Sequence, residues 1–261
     1  MSAYLNLEAS LHDIFWAAEG APAELPLLAD FLALHPGRSL EIGCGSGRLL
    51  LPLLARGLDV EGLDNSPDML ALCRKAAATA GRRPAPALHT GDMLAWTPPR
   101  APYPSLLLPA FTFQLASDPA AALRHFARRI LAPGGAVYLT VFRPLAELSG
   151  DLPENEWFPD HQAALPGGRR ATLESRHRIE RAGRILVREH RYSLFEPGES
   201  AAPAATHTST HRLRWFEPGE LESLLAETGF DVTGRIAEFD TEESVGEDTQ
   251  ILTVHASALR R

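Results

Sequence analysis

Four residues in the first quarter of the chain have the types and spacing that could hold a nucleotide. Gly43, Gly45 and Gly47 follow the apolar segment 39–42 and precede a helical pattern. Glycines accept backbone angles closed to other residues, and they let main-chain N–H groups approach a ligand without a Cβ in the way. Asp64 ends the next apolar segment, where an ionised carboxylate can accept hydrogen bonds from both hydroxyls of a ribose. These residues predict a nucleotide site at a junction between strands and helices.

The spacing of the three glycines differs from that of dinucleotide-binding folds. Their fingerprint is G-x-G-x-x-G, whereas this chain has its third glycine one residue early and Arg48 where the fingerprint requires glycine. This disfavours an NAD-dependent oxidoreductase, which we keep as an alternative. A non-catalytic protein that retains the nucleotide pocket is the other alternative, because binding motifs carry no information about turnover.

Four segments, in order along the chain, resemble the motifs of the class I, Rossmann-like S-adenosylmethionine (SAM)-dependent methyltransferases of small-molecule type. Residues 41–47 are similar to that family's glycine-rich motif, 62–70 to its ribose motif and 91–93 to its adenine motif. Residues 131–139 resemble its turn into the fifth strand. The resemblance implies that SAM is the cofactor and S-adenosylhomocysteine the product. It also implies in-line transfer of a methyl group to a nitrogen or oxygen of a small molecule.

The resemblance extends to individual positions of the cofactor site. Asp92 is expected to receive the adenine amino group, Met93 to pack on the adenine ring and Pro109 to face the methionine part of the cofactor. The cofactor-binding residues that we predict are Glu41, Gly43, Gly45, Gly47, Asp64, Asn65, Met69, Asp92, Met93 and Pro109. Upstream, Tyr4 and the cluster 14–16 resemble the N-terminal lid of this family, although helix packing explains these aromatic residues equally well.

The order of strand-like and helix-like segments predicts an α/β fold, with a doubly wound, seven-stranded, mostly parallel sheet and an inserted antiparallel β cap. Strands are expected near 38–43, 58–64, 86–90, 104–110, 136–142, 230–238 and 249–257, and helices near 47–56, 67–80, 118–131 and 216–228. We expect a SAM-binding core at 1–150, a substrate cap at 151–215 and a return to the core at 216–261. In the resembled family, such a cap covers the methyl-transfer centre and selects the substrate.

The expected cap begins with a segment rich in turn formers, 151–160, and continues with three strand-like segments. These lie near 171–180, 184–195 and 206–216, and the turn residues between them predict an antiparallel meander.

Three histidines of these strands are candidates for a general base. Alternate residues of a strand face the same side, and His177, His190 and His211 each lie on the apolar parity of their strand. One of them is predicted to take the proton from the nucleophile, since the unperturbed pKa of histidine is about 6.5. The alternative is that these histidines are partly exposed cap residues with ordinary partners. In-line placement of the nucleophile would then suffice for methyl transfer.

Four further residues are candidates for contact with the methyl acceptor. Phe111 and Gln114 follow the fourth strand and are expected to line the floor of the substrate pocket, with core packing as an equal alternative for the aromatic ring. Arg188 and Tyr192 of the cap are weaker candidates for orienting the substrate.

The composition argues against nucleic acid as the partner. Acidic residues outnumber basic ones by 33 to 25, which gives a net charge of −8 and opposes a broad electrostatic footprint for DNA or RNA. The segment 109–112 also lacks the Asp or Asn, two prolines and an aromatic residue of nucleic-acid amino-methyltransferases. The expected partner is therefore a small-molecule methyl acceptor.

Other classes of partner and site receive no support from the sequence. No apolar segment approaches the ~20 residues of a membrane span, and no signal peptide is evident, so we expect a cytoplasmic protein without a membrane partner. Cys44 and Cys73 are expected to pack in the core rather than form a disulfide. No metal site is predicted. The sequence is compatible with a homodimer but does not fix the oligomeric state.

Overall fold

A seven-stranded sheet and a four-stranded sheet organise the part of the chain that the structure describes. The structure is a computed structural model that describes residues 4–17, 20, 22–100, 102–198 and 202–259. The helices are α1 (Asn6–Trp16), α2 (Glu24–Leu34), α3 (Leu50–Ala55), α4 (Pro67–Thr79), α5 (Pro119–His125), α6 (Leu145–Ser149) and α7 (Glu220–Glu227). The strands are β1 (Ser39–Ile42), β2 (Val60–Asp64), β3 (Leu88–Thr90), β4 (Tyr103–Leu108), β5 (Leu131–Phe142), β6 (Phe158–Ala164), β7 (Arg170–Glu180), β8 (Ile185–Phe195), β9 (Ala205–Arg214), β10 (Phe230–Ala237) and β11 (Ile251–Ala258).

The larger sheet has the strand order β10-β11-β5-β4-β1-β2-β3. The strand pairs β3–β2, β2–β1, β1–β4 and β4–β5 are parallel. Strand β11 is antiparallel to both β5 and β10. The predicted doubly wound, mostly parallel sheet is thus confirmed. The chain reverses its direction of progress across the sheet between β1 and β4, and ligands of open α/β sheets bind at the carboxyl ends of strands at such a switch point.

The central strands owe their position to continuous apolar sequence. All four residues of β1 are buried, and Leu106, Leu107 and Leu108 of β4 have no exposed surface. A strand covered by helices on both faces needs apolar residues at consecutive positions rather than alternate ones. Cys44 and Cys73 are buried free thiols in the core, as expected from the sequence.

Several element boundaries differ from the sequence-based expectation. The α-helix expected at 118–131 ends at His125 and is followed by a π-helix at Phe126–Ile130, and the helix expected from 216 begins at Glu220. The helix expected from 47 begins at Leu50, because residues before it form the turn of the glycine loop. The strand expected from 136 begins at Leu131, which pairs with Tyr103 of β4. An irregularity in the register of β4 and β5 absorbs the Pro-Gly-Gly segment 133–135, which therefore interrupts the pairing without ending the strand.

The smaller sheet is antiparallel and has the order β6-β7-β8-β9. It lies in the segment expected to form a substrate cap, and we call it the cap. The three predicted strands are present as β7, β8 and β9. The expectation that 151–160 is only a turn-rich segment was wrong at its end, because β6 starts at Phe158 and pairs with β7. Pro159 lies on this edge strand, where a residue without an N–H group is tolerated, and a register shift follows it.

Helix α1 packs against the cap. Leu11 and Phe15 form a buried cluster with Ala171, Leu173 and Tyr192 of the cap strands. Within the described ranges, no helix is both long and apolar enough to cross a membrane.

Candidate active site

The glycine loop adopts left-handed backbone conformations that favour glycine. The φ angles of Gly43, Gly45 and Gly47 are +74°, +53° and +89°. A Cβ on Gly43 would lie 2.5 Å from Cγ2 of Thr112, and a Cβ on Gly45 would lie 3.1 Å from Cε of Met69. The loop therefore needs glycine both for its conformation and for its close packing on the protein.

Asp64 holds the glycine loop in place at the carboxyl end of β2. Its Oδ2 accepts a hydrogen bond of 2.8 Å from the N–H of Gly45, and its Oδ1 accepts one of 2.8 Å from the N–H of Ser66. Burial raises the pKa of Asp64, although these backbone donors act in the opposite direction. Each carboxylate oxygen can accept a second hydrogen bond, so the group can still receive a pair of hydroxyls.

Glu41 places a second carboxyl group at the end of β1. The side chain is 2% exposed, and its Oε2 has no hydrogen-bond partner among the described residues. Burial, and then the charges of Glu24 and Asp64, raise the pKa of Glu41 well above its ordinary value. An unpartnered buried carboxyl oxygen at the switch point suits a cationic group of a ligand.

Glu24 of α2 is a site residue that the sequence analysis missed. Its carboxylate accepts hydrogen bonds from the N–H of Ala110, at 2.9 Å, and from the hydroxyl of Thr140. Burial raises the pKa of Glu24. The contact with Ala110 anchors the end of β4, where Ala110 and Phe111 have φ angles of +50° and +63°. Such angles are strained in non-glycine residues, and they turn Phe111 so that its ring centroid lies 4.9 Å from that of Phe142.

The remaining predicted cofactor residues differ in their burial and contacts. Pro109 is buried before the strained pair, and Met69 is buried beneath Gly45. Asp92 is exposed and accepts a hydrogen bond of 2.8 Å from the N–H of Leu94, so it caps its own turn. Met93 is half-buried against the core, and Asn65 is exposed. The contacts of these residues with a cofactor stay predictions.

Gln114 has a different environment from the one expected. It is completely buried, and its Nε2 donates to the carbonyl groups of Phe142 and Arg214 at 3.0 and 2.9 Å. Its Oε1 accepts from the N–H of Phe142 at 2.8 Å. The side chain thus ties β5 to the end of β9, and these bonds use the polar atoms that were expected to meet the substrate.

The polar residues of the cap that are candidates for catalysis or substrate binding form rows across the strands, on one face of the sheet. His177, Arg188 and His211 are register partners on β7, β8 and β9. A second row consists of Ser175, His190 and Ser209. Directly paired residues of neighbouring strands project to the same side of a sheet, so the parity expected from the sequence is present.

His211 is paired with a buried carboxylate from α1. Its Nε2 lies 2.6 Å from Oε1 of Glu8, which also accepts a hydrogen bond of 2.9 Å from the hydroxyl of Ser209. Glu8 and His211 are 1% and 5% exposed. Burial acts to raise the pKa of Glu8, but the hydrogen bonds of His211 and Ser209 outweigh it and leave the pKa below its ordinary value.

Glu8 is a second residue that the sequence analysis missed, although a signal was present. It lies three residues before Leu11 and seven before Phe15, the spacing of one helix face, and both of those residues are buried. An acid on the apolar face of a helix needs a polar partner when that face is covered.

The other cap candidates have different surroundings. His177 is 2% exposed, and neither ring nitrogen has a hydrogen-bond partner among the described residues. Arg188 pairs with Glu147 of α6 at 2.5 Å and lies over the ring of Phe142, 5.6 Å from its centroid. Tyr192 is buried, and its hydroxyl lies 3.4 Å from Oε1 of Glu8.

The N-terminal segment bridges the cofactor motifs and the cap. Ser46 of the glycine loop donates a hydrogen bond of 2.6 Å to Asp13 of α1. Ser66, at the start of α4, donates one of 2.7 Å to the carbonyl group of Tyr4, whose ring centroid lies 4.9 Å from that of His211. Helix α1 therefore connects the two parts of the site. Phe15 of the cluster 14–16 is packed in the core, and a lid role of this segment stays a prediction.

Comparison with known proteins agrees with this geometry. Residues 40–135 match the family described as a methyltransferase domain. No sequence match is found among curated proteins.

Solved structures resemble the chain along nearly its whole length. The CcbJ methyltransferase from Streptomyces caelestis has a TM-score of 0.77 and 20% identity, over 99% of this chain and 98% of its own. An amino pentose methyltransferase from Micromonospora echinaspora, determined with SAM bound, has a TM-score of 0.66 and 21% identity, over 99% of both chains. A sugar N-methyltransferase from Streptoalloteichus has a TM-score of 0.67 and 20% identity, over 96% of this chain and 93% of its own.

Proposed function

We propose that this chain, a Rossmann-like methyltransferase by its domain at residues 40–135 and by its fold, transfers the methyl group of SAM to a nucleophile of a small molecule. One observation carries the proposal. The carboxylate of Asp64 is bonded to the N–H of Gly45 in the glycine loop, and α1 links this motif to the buried Glu8–His211 pair of the cap face. These contacts support a nucleotide site and a proton acceptor that are linked through α1.

The residues at the strand ends fit SAM as the cofactor. Asp64 would hold the two ribose hydroxyls through the acceptor capacity that its backbone contacts leave. The unpartnered Oε2 of Glu41 would receive the ammonium group of the methionine part, because a buried carboxyl oxygen needs a charged or polar partner. The bound cofactor supplies a methyl group on a positively charged sulfur atom.

His211 is the general base that we propose among the three candidate histidines. The carboxylate of Glu8 holds Nε2, which therefore carries a proton, while the buried Nδ1 has no hydrogen-bond partner among the described residues. Nδ1 would take the proton that the nucleophile loses on methylation, and the carboxylate would stabilise the resulting imidazolium, as the acid of a catalytic triad does. Among the described residues, no carboxylate forms a hydrogen bond with His190 or His177.

The acceptor that we propose is an amine. The names of two similar structures give a sugar and an amino pentose as the molecules on which those proteins act. This chain shares their fold, and it carries a second, antiparallel sheet and the packed rings of Phe111 and Phe142. Oxygen acceptors would use the same base and stay the second choice.

Calorimetry with S-adenosylhomocysteine, and with NADH as the control ligand, tests the cofactor site. Micromolar binding of the former alone supports the proposal, and binding of NADH alone would contradict it. Incubation with radiolabelled SAM and a panel of amines and phenols then tests transfer, which a purely binding protein would not perform.

The cytoplasmic location and the homodimer stay predictions. The two free thiols fit a reducing compartment.

A further inference from the structure

Next to the proposed base lies a chain of three polar side chains that the methyl-transfer step does not use. The hydroxyl of Ser175 donates a hydrogen bond of 2.6 Å to Oδ2 of Asp160, and Nδ1 of His190 lies 2.9 Å from the same hydroxyl. Ser175 is 1% exposed, so water does not compete for these contacts. The ring of His190 lies 5.4 Å, between centroids, from that of His211.

We propose that His190, oriented by Ser175 and Asp160, accepts a hydrogen bond from a hydroxyl group of the acceptor that is adjacent to the methylated atom. This inference rests on the proposed function and deepens it. The acceptor class that it selects is a vicinal amino alcohol.

The hydrogen-bond order fixes which ring nitrogen of His190 carries the proton. A serine hydroxyl has one hydrogen, and the hydroxyl of Ser175 gives it to Asp160. The same oxygen can then only accept from His190, so Nδ1 must be the protonated nitrogen. Nε2 is left with its lone pair, and no described residue donates to it.

The charges around His190 keep the ring neutral. Burial, then His211 on β9 and Arg188 on β8, lower the pKa of His190 to about 4, although Glu8 on α1 and Asp160 on β6 act in the opposite direction. A neutral imidazole with a protonated Nδ1 is a pure acceptor at Nε2 near neutral pH.

The contrast between the two neighbouring rings defines their separate tasks. His211 has a carboxylate as its partner, whereas His190 has a hydroxyl as its partner and its lowered pKa keeps the ring neutral near pH 7. Histidines whose environments differ in this way divide proton transfer and hydrogen bonding between them. The centroids of the two rings are 5.4 Å apart, and in the proposal one acceptor bridges them through heteroatoms on adjacent carbons, with the amine at His211 and the hydroxyl at His190.

Two matched amines test the assignment. Trans-2-aminocyclohexanol carries the vicinal hydroxyl, and cyclohexylamine lacks it. We expect the wild-type protein to methylate the amino alcohol with a kcat/KM that is higher by about tenfold or more, because a site built to bond a hydroxyl discriminates against an analogue without one. Ser175→Ala should remove most of this preference through KM, whereas Thr208→Ala, which deletes an exposed hydroxyl on β9, should preserve it.

Nitrogen NMR of the histidine rings gives a readout that does not depend on turnover. The signals of His190, assigned by their loss in His190→Asn, should show a proton on Nδ1 in the wild-type protein. In Asp160→Asn, the new amide can donate to Ser175, which would then donate to His190 and move the proton to Nε2. The amino alcohol should lose its advantage in the same variant.

Three results would overturn the assignment: a proton on Nε2 in the wild-type protein, equal use of the two amines, or failure of both amines to bind or react. Cofactor binding in the same preparation distinguishes these results from a failure of the proposed function, which would appear as a loss of S-adenosylhomocysteine binding.

Discussion

The carboxylate of Glu8 and the imidazole of His211, 203 residues apart in the chain, lie 2.6 Å apart between Oε1 and Nε2 and are almost completely buried. This contact joins the first helix to the last strand of the cap. A buried charge without a partner is costly, so each of the two groups depends on the other.

Loss of this pair should impair turnover far more than cofactor binding. His211→Asn is expected to lower kcat by about 10²- to 10⁴-fold, the usual contribution of a general base, and Glu8→Gln should give a smaller loss. Steady-state kinetics and calorimetry with S-adenosylhomocysteine measure the two quantities separately. Glu189→Gln, on the outer face of the cap beside Arg176, is the control. Unchanged kcat in His211→Asn would show that the base lies elsewhere or is unnecessary.

Asp64→Ala should weaken binding of S-adenosylhomocysteine by several kcal/mol. The variant removes two charge-assisted hydrogen bonds, each of which contributes about 1.5–3 kcal/mol. Calorimetry measures the change, and Asp59→Ala, at an exposed acid that directly precedes β2, is the matched control. An affinity equal to that of the wild type would exclude the ribose contact.

Gly45→Val should abolish cofactor binding. Its φ of +53° is closed to β-branched residues, and the new Cβ would press on Met69 at 3.1 Å. Thermal unfolding shows whether the variant folds, and Gly246→Val, which has nothing within 4 Å, controls for the added side chain. A folded Gly45→Val protein that still binds S-adenosylhomocysteine would contradict the role of the loop.

Glu41 should make the cofactor-free protein less stable as the pH rises. A carboxyl group whose pKa is raised by folding adds stability below its unfolded value, 4.5, and that contribution is lost as the pH rises through the folded pKa. Glu41→Gln, which cannot ionise, should therefore have a higher Tm than the wild type at pH 8, with a smaller difference at pH 5.

The same variant separates stability from binding. Glu41→Gln should bind SAM more weakly, because the amide lacks the charge that favours an ammonium group. Thermal unfolding and calorimetry over this pH range measure both effects, with the exposed Glu243→Gln as control. A Glu41→Gln protein that is no more stable at pH 8 would refute the buried, unpaired state of this acid.

Local sequence was sufficient to predict the core of the fold. Two kinds of element depend only on residues that are neighbours in sequence. One is a central strand with consecutive apolar residues, such as β4. The other is a helix with a clear N-cap, such as α4, where the hydroxyl of Ser66 accepts a hydrogen bond from the N–H of Met69. Strand β6 was missed because its residues alternate only weakly and contain Pro159. Its pairing depends on β7 rather than on its own composition.

The missed site residues share one property, which is that their partners are distant. Glu8, Glu24 and Glu147 are single acids on helices. The apolar residues on the face of Glu8 indicate that it is covered, but nothing nearby in sequence identifies the partner of any of the three. Their roles arise from contacts with His211, Ala110 and Arg188, which only the folded chain provides. Gln114 is the opposite case. Its side chain was expected to contact the substrate, but its hydrogen bonds are all made with backbone groups of Phe142 and Arg214.

Helix α1 touches the glycine loop through Asp13 and Ser46, and it also carries Glu8 to the cap. A displacement of α1 that breaks its contact with the glycine loop would also move the carboxylate of Glu8 away from His211. On the proposed function, release of the cofactor by such a displacement and proton transfer at His211 would exclude each other.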